Sequence, residues 1–184
     1  SEMCIRDRRY NDPSGHSSVF ETTHIISSKY TSFYEDFPLP NDAADYPSHE
    51  ELLRYFQGYA DHFDLEKNIK FNTEVIHCSQ EANHKWEIKW KNLTTNEVKT
   101  DIFDALVVCN GHHHEPRFPK YPGKFSGDYL HSHQYKKALP FKDKKVLVIG
   151  GGNSACDVAV ETARISKTTA ISWRRGCLLY TSDA

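Results

Sequence analysis

Apolar residues never gather into a long run in this chain. No stretch approaches the roughly 18 consecutive apolar residues that a membrane-spanning helix needs, and none near the N-terminus has the apolar core of a secretory signal. Charge of one sign is also lacking. Lys and Arg number 23 against 25 Asp and Glu, a formal net charge of −2, which argues against the basic footprint of a nucleic-acid binder. Cysteine is sparse, with five residues and no Cys-x-x-Cys. That excludes a disulfide framework, a zinc site of the usual spacing and a dithiol redox centre. No internal repeat or low-complexity tract is visible. What remains is 38% hydrophobic and 26% charged residues in 184, the make-up of a soluble globular domain or parts of two.

The two ends read as something other than protein. Ser1 to Arg8 can be encoded by DNA containing AGATGTGTATAAGAGACAG. Cys177 to Ala184 can be encoded by DNA continuing CTGTCTCTTATACACATCT, its reverse complement. One element in inverted orientation at both ends is the pattern of a translated transposon adapter, so 1–8 and 177–184 are set aside from fold reasoning. The natural segment is then expected to run from about Arg9 to Gly176, cut at both ends. Its thiols are Cys78, Cys109 and Cys156, an odd and widely spaced set expected to be reduced. A cytoplasmic location follows as an expectation, with membrane attachment through a segment outside this chain left open.

Arg9 to Pro40 is rich in Ser, Thr, Tyr and Phe and reads as irregular, with one short strand at most. Ser48-His-Glu-Glu51 has the form of a capping box. After it Leu52, Leu53, Phe56, Tyr59, Ala60 and Phe63 fall at helical spacing, predicting an amphipathic helix to about Phe63. Alternation from Asn68 to Cys78 predicts a strand. Lys85–Lys91 and Glu97–Ile102 predict a hairpin around Asn92–Asn96. The apolar run Phe103–Cys109 predicts a buried strand ending at the Asn110-Gly111 turn. His112–Phe141 reads as connecting sequence. Lys145–Ile149, a glycine turn, Asn153 to about Ile165, and Thr168–Trp173 then make one strand–helix–strand unit.

That unit holds the chemistry. Gly150-Gly-Gly152-Asn-Ser-Ala155 is Gly-x-Gly-x-x-Ala with a strand before it and a helix after it, the context a dinucleotide turn requires. Gly150 permits the tight turn, Gly152 lets backbone approach a pyrophosphate, and small Ala155 lets helix pack on strand. The phosphates are expected on the free amides near Asn153 and Ser154, where the helix dipole favours an anion. The second strand ends in Ser172-Trp173-Arg174-Arg175. An arginine where NAD sites usually carry an acid suits the 2′-phosphate of NADP. Arg174 is the candidate for it, with Trp173 able to flank the adenine.

Upstream, Phe125-Ser-Gly127-Asp-Tyr-Leu-His131-Ser-His-Gln-Tyr135 fits Phe-x-Gly-x-x-x-His-x-x-x-Tyr, the fingerprint that precedes the NADP turn in flavin-containing monooxygenases. Val108-Cys-Asn-Gly-His-His113, Asp36-Phe-Pro-Leu-Pro40 and Gly152-Asn-Ser-Ala-Cys-Asp157 are similar to further stretches of that family. On these motifs the segment from Arg9 to Gly176 resembles the flavin-containing monooxygenases. The resemblance implies an α/β flavoprotein with two Rossmann-like dinucleotide-binding domains. Residues 9–118 would belong to the FAD-binding domain, and 119–176 to the linker and the start of the inserted NADP-binding domain. It implies FAD and NADP as cofactors, O2 and a small molecule as substrates, and oxygenation of a soft nitrogen or sulfur through a flavin hydroperoxide. No nucleic acid and no metal take part. Position by position, Ser154, Ala155, Cys156 and Asp157 match the NADP stretch, Val75 a position near the FAD adenine, and Ser27 one near the flavin. Gly111 matches the end of the strand that returns to the FAD domain. His131 and Tyr135 fall in the interdomain connection.

Two departures stand out. The family's N-terminal Gly-x-Gly-x-x-Gly for FAD is absent from this chain. Where the family usually has Asn beside the flavin, in Thr-Asn-Ser-Ser-Lys, this chain has Ile25-Ile26-Ser27-Ser28-Lys29, and Ile26 has no donor. The catalytic residue therefore stays unknown. Competing readings are weaker. His112-His-His114 sits in a loop, where three adjacent histidines rarely aim at one ion. His131 and His133 suit a structural hydrogen bond better than a catalytic pair. Asn92-Leu-Thr94 reads as a hairpin tip rather than a glycosylation site, and 142–145 as a solvated turn. A Baeyer–Villiger monooxygenase ends the same fingerprint in Trp where Tyr135 stands. A disulfide reductase would need the missing cysteine pair. A truncated piece that binds nucleotide weakly is the non-enzyme alternative.

Overall fold

The computed structural model describes Tyr10, residues 17–111, His113 and residues 115–174. The first long element is helix α1 (His49–His62). Its start is the expected capping box: the Glu51 amide donates to Ser48 Oγ and the Ser48 amide donates to the Glu51 carboxylate at 2.8 Å. The apolar face buries Leu52, Tyr55 and Ala60. Tyr55 is tied in further, because its hydroxyl donates to the Phe37 carbonyl at 2.7 Å and accepts from the Tyr34 amide at 2.8 Å. Phe37 packs against both Tyr55 and Tyr59 with ring centroids 5.6 Å apart. The Asp-Phe-Pro-Leu-Pro segment is thus fastened to α1 by its aromatic residue and its backbone.

Strands β1 (Thr73–Gln80), β2 (Trp86–Asn92) and β3 (Val98–Phe103) form an antiparallel meander. The β2–β3 hairpin closes where expected. Asn92 Oδ1 accepts from the amides of Thr94 and Thr95, a side-chain turn that asparagine makes readily, and Asn96 takes φ 60°. β1 begins later than the alternation predicts, since Glu66–Asn68 is a single 3-10 turn and Asn72 has φ 50°. Between 17 and 40 no strand forms among the described residues. That stretch holds only a 3-10 turn at Lys29–Thr31 and isolated bridges, one joining His24 to Ser48.

The expected buried strand at Phe103–Cys109 is not there. β3 ends at Phe103, and Val107 and Val108 are 80% and 72% exposed. An apolar run becomes a buried strand only when a neighbour offers a ladder and a covering layer, and the described residues supply neither. For the same reason Gly111, with φ 71°, ends no strand here.

Strand β4 (Lys145–Ile149), helix α2 (Asn153–Ala163) and strand β5 (Thr168–Ser172) form the strand–helix–strand unit, with β4 and β5 parallel and Lys145 opposite Thr168. β4 matches its expected bounds, and α2 and β5 each stop within a residue or two of theirs. Thr162 is fully buried, its hydroxyl donating to the Val158 carbonyl at 2.7 Å. Among the described residues the intervening sequence is irregular, as expected, apart from 3-10 turns at Ser132–Gln134 and Leu139–Phe141.

Replacing Ser48 by Ala is expected to lower the unfolding free energy by about 1 kcal/mol, the usual worth of such a cap, as measured by urea titration. The Ser48 amide, first among the causes, holds the Glu51 carboxyl below its usual range. A depressed carboxyl contributes stability above its unfolded value and loses it as pH falls through the folded one. The stability gap between the unmutated chain and Glu51→Gln should therefore close on acidification.

Candidate dinucleotide site

The turn between β4 and α2 is shaped by its glycines. Gly150 has φ 137°, a conformation L side chains rarely adopt. A Cβ there would lie 3.4 Å from the Ala155 Cβ, so helix and strand approach each other as the motif requires. The Gly150 amide donates to the Ser172 carbonyl at 2.8 Å, which fixes the turn to the end of β5. Gly152 is the N-cap of α2, and among the described residues a Cβ on it would meet nothing within 4 Å. Its carbonyl accepts from the amides of Ala155 and Cys156 at 3.0 and 3.1 Å. The amides of Asn153 and Ser154 precede the first intrahelical bonds. α2 has no side-chain cap and no acid in its first turn. Open backbone, free amides and the positive end of a helix dipole together suit a pyrophosphate.

Of the residues read as nucleotide contacts, Gly150, Gly152, Asn153, Ser154, Ala155, Cys156, Asp157 and Arg174 are gathered in this one unit. Ser154 and Arg174 are exposed, while Ala155 and Cys156 are half-buried against the sheet. Burial, and then the Glu161 charge one turn on, push the Asp157 carboxyl above its usual value. Trp173, half-buried, lies over Gly151. Sequence reasoning passed over Gly151, although a third glycine in a motif that asks for two was a signal.

Ser27, Val75 and Gly111 sit on three separate segments, and no hydrogen bond among the described residues joins them. Each is exposed and so open to a ligand. Ile26 is 77% exposed. Ser27 Oγ lies 2.6 Å from Ser32 Oγ. Beside them Lys29, the lysine of the Ile25-Ile26-Ser27-Ser28-Lys29 stretch, reaches across the loop to donate to the carbonyls of Asn41 and Ala43 at 3.1 and 2.6 Å, contacts the motif itself does not specify.

The fingerprint segment forms a structural joint. His131 Nδ1 accepts from the His133 amide at 3.1 Å and the His131 amide donates to Gln134 at 2.9 Å, in line with a structural role for His131 and His133. Tyr135 is 2% exposed, between Phe20 at 5.5 Å and Phe141 at 5.7 Å between ring centroids. The Lys136 ammonium donates to the carbonyls of Ser17 and Val19, and the Glu21 amide donates to the Lys136 carbonyl at 2.8 Å. A recess of about 290 Å³ lies against this linker, lined in part by Leu130, Tyr135 and Phe141, away from the glycine turn. Among the described residues no group of three His, Cys, Asp or Glu could hold a metal ion. His112 and His114, like 1–8 and 177–184, lie outside the described residues.

A model of the flavin-binding monooxygenase-like family matches residues 8–182. The chain belongs to that family. It is 37% identical over 172 residues to flavin-containing monooxygenase 5 of Rattus norvegicus, covering 90% of this chain and 32% of that protein. It is 38% identical, over the same shares, to dimethylaniline monooxygenase (N-oxide-forming) 2 of Oryctolagus cuniculus. Among solved structures it is similar to the S-allyl-L-cysteine S-oxygenase of Allium sativum, with 30% identity and a TM-score of 0.78, covering 91% of this chain and 40% of that one. The chain thus spans about a third of the length of the curated relatives it matches. Its fold is that of the flavoprotein monooxygenases, so the expected α/β dinucleotide-binding class holds.

Among the described residues the buried Tyr135 hydroxyl has no hydrogen-bond partner. An unpaired buried hydroxyl costs about 1–3 kcal/mol, so Tyr135→Phe is expected to keep or raise the melting temperature. Tyr135→Ala should lose about 3–5 kcal/mol, as large aromatic deletions do. Burial, then the charges of Glu161 and Glu21, push the phenol from 10.0 up to about 12. A raised pKa means stability is lost as pH climbs from the unfolded value through the folded one. Melting curves should therefore fall more steeply above pH 10 in the unmutated protein than in Tyr135→Phe.

Proposed function

We propose that this chain is part of an NADPH- and FAD-dependent monooxygenase that oxygenates soft nucleophilic nitrogen or sulfur centres of small molecules. The observation that carries the reading is the placement of the glycine turn, the open start of α2 and Arg174 in one unit. That unit stands directly behind the fingerprint segment, in a chain of the flavin-binding monooxygenase-like family. The N-oxide-forming and S-oxygenating relatives support the substrate class.

The residues present fit a dinucleotide. Gly152 and the amides of Asn153 and Ser154 would hold the pyrophosphate. Small Ala155 sets the close packing of helix on strand that brings those amides into place, with half-buried Cys156 following it in the same turn. The Arg174 guanidinium, one residue beyond Trp173 and exposed, would take the 2′-phosphate. Ser27, Val75 and Gly111 are the residues assigned to FAD. When bound, the two cofactors supply hydride, electrons and oxygen activation, so that NADPH, O2, a proton and substrate give NADP⁺, water and the oxygenated product. The protein's part is to bind, orient and exclude water.

We take 9–118 as the FAD-side portion and 119–176 as the linker with the start of the NADP-side portion. A cytoplasmic location is the companion proposal. The free thiols Cys78, Cys109 and Cys156 support a reducing compartment, and among the described residues no helix is long and apolar enough to cross a membrane.

Coenzyme choice tests the reading. A contact to a charged group is worth roughly 1.5–3 kcal/mol. In the full-length protein kcat/KM for NADPH should exceed that for NADH by about ten- to a hundredfold, and Arg174→Ala should remove most of that margin. Equal values for the two coenzymes in the unmutated enzyme would sink it.

Ile26 offers a second test. A preorganised donor beside a developing charge is worth on the order of 2.7–4 kcal/mol, and Ile26 has none. The full-length enzyme should therefore release hydrogen peroxide for a sizeable share of the NADPH it oxidises, and Ile26→Asn should lower that share. An unchanged ratio would mean that position 26 does not face the flavin.

A further inference from the structure

Gly151 is the residue the dinucleotide motif leaves free, yet the structure requires glycine there. Its φ is not in the left-handed region, unlike that of Gly150, so backbone conformation makes no demand. The demand is steric. A Cβ on Gly151 would fall 2.6 Å from Trp173 Cε3, 3.2 Å from its Cβ and 3.3 Å from its Cδ2. The contact is with the root and fused edge of the indole rather than with a flexible tip, so it could be relieved only by moving the whole side chain. The Gly150 amide bonded to the Ser172 carbonyl at 2.8 Å holds turn and strand end together one residue before the indole. Arg174 follows it, and the neighbouring Gly152 faces open space.

We infer that Gly151 and Trp173 are a matched pair that builds a stacking platform for the adenine end of the dinucleotide. On this inference Trp173 is a binding residue that works with Arg174 to recognise a 2′-phosphorylated adenosine. The proposal rests on the NADPH reading above. An indole pressed onto the turn's backbone has lost its rotamer freedom before the ligand arrives, so stacking an adenine on it costs little ordering. A flat π-face recognises a base by stacking, and the guanidinium that follows it in sequence would take the neighbouring phosphate. Gly151 is the space that lets the indole lie there.

The test uses the FAD-loaded full-length protein and adenosine 2′,5′-bisphosphate, which carries the adenine and the 2′-phosphate but no nicotinamide. Binding is followed by calorimetry and by tryptophan fluorescence, with melting temperatures recorded for every variant. Trp173→Leu should weaken binding by about tenfold, the scale of one base–aromatic stack. Trp173→Tyr, which keeps a flat ring, should stay within about threefold of the unmutated protein on the same scale. Gly151→Ala should weaken binding at least as much as Trp173→Leu, because it displaces the indole. Combining Gly151→Ala with Trp173→Leu should add nothing further, as expected of two changes that remove one interaction. A Trp173→Leu protein that melts lower yet binds the bisphosphate as tightly as the unmutated one would overturn the platform and leave Trp173 as packing alone. Additive losses in the double variant would overturn the pairing. If the unmutated protein binds NAD⁺ but not the bisphosphate, the NADPH reading itself falls, and the platform falls with it.

Discussion

One backbone contact organises the dinucleotide unit: the Gly150 amide donating to the Ser172 carbonyl at 2.8 Å. It joins the end of β4 to the end of β5 just where the chain must turn into α2. The bond forms only because Gly150 reaches φ 137°, and the turn closes only because Ala155 is small enough to sit 3.4 Å from where a Cβ would be. Everything the site offers a ligand follows from that geometry. The free amides of α2 point out beside the strand ends, Gly152 is left uncovered, and Trp173 and Arg174 are delivered to the rim. A larger residue at 150 or 155 would separate helix from strand and aim the same amides elsewhere.

A second joint lies in the fingerprint segment. Tyr135 wedges between Phe20 and Phe141, and Lys136 caps the carbonyls of Ser17 and Val19. Both residues come from the linker, while Phe20, Ser17 and Val19 come from the far end of the sequence. The fingerprint therefore works as a fastener between early chain and the segment that enters β4. A partly buried ammonium on two carbonyls satisfies groups that would otherwise lose their hydrogen bonds to water. That gives the motif a structural task, in which Tyr135 packs and His131 caps the turn at Ser132–Gln134.

How far the sequence could be read depends on what enforces each element. β4 and α2 were found almost to the residue because their cues are local: an apolar run, two obligatory glycines and a helical period. α1 was equally clear, since Ser48 and Glu51 satisfy its first amides from within the sequence itself. The stretch from 17 to 47 was opaque. Its shape is set by side chains bonding to distant carbonyls, such as Lys29 on Ala43 and Tyr55 on Phe37, and no periodicity encodes such pairs. Phe103–Cys109 misled for the opposite reason. Its composition is that of a buried strand, but a strand's partner is never written in the strand. The site followed the same division. Gly150 to Asp157 could be named from the motif, whereas the role of Gly151 depended on an indole 22 residues away.

The exposed apolar residues carry the same logic to the level of the whole protein. Parallel strands ordinarily have both faces covered, yet Leu147 and Ile149 of β4 and Ile171 of β5 remain exposed, together with Val107 and Val108. These are the residues that a doubly wound sheet buries beneath further strands and helices. Relatives of this chain are about three times its length, so there is ample polypeptide in the family to cover them. The consequence is energetic as well as architectural. At about 25 cal/mol per Å² of apolar surface, leaving a handful of such side chains in water forgoes several kcal/mol. That is comparable with the whole stability margin of an ordinary domain. The glycine turn can be formed locally, but on the proposed reading the rigidity that would let Trp173 and Arg174 hold a nucleotide in one pose calls for cover over the exposed Leu147, Ile149 and Ile171.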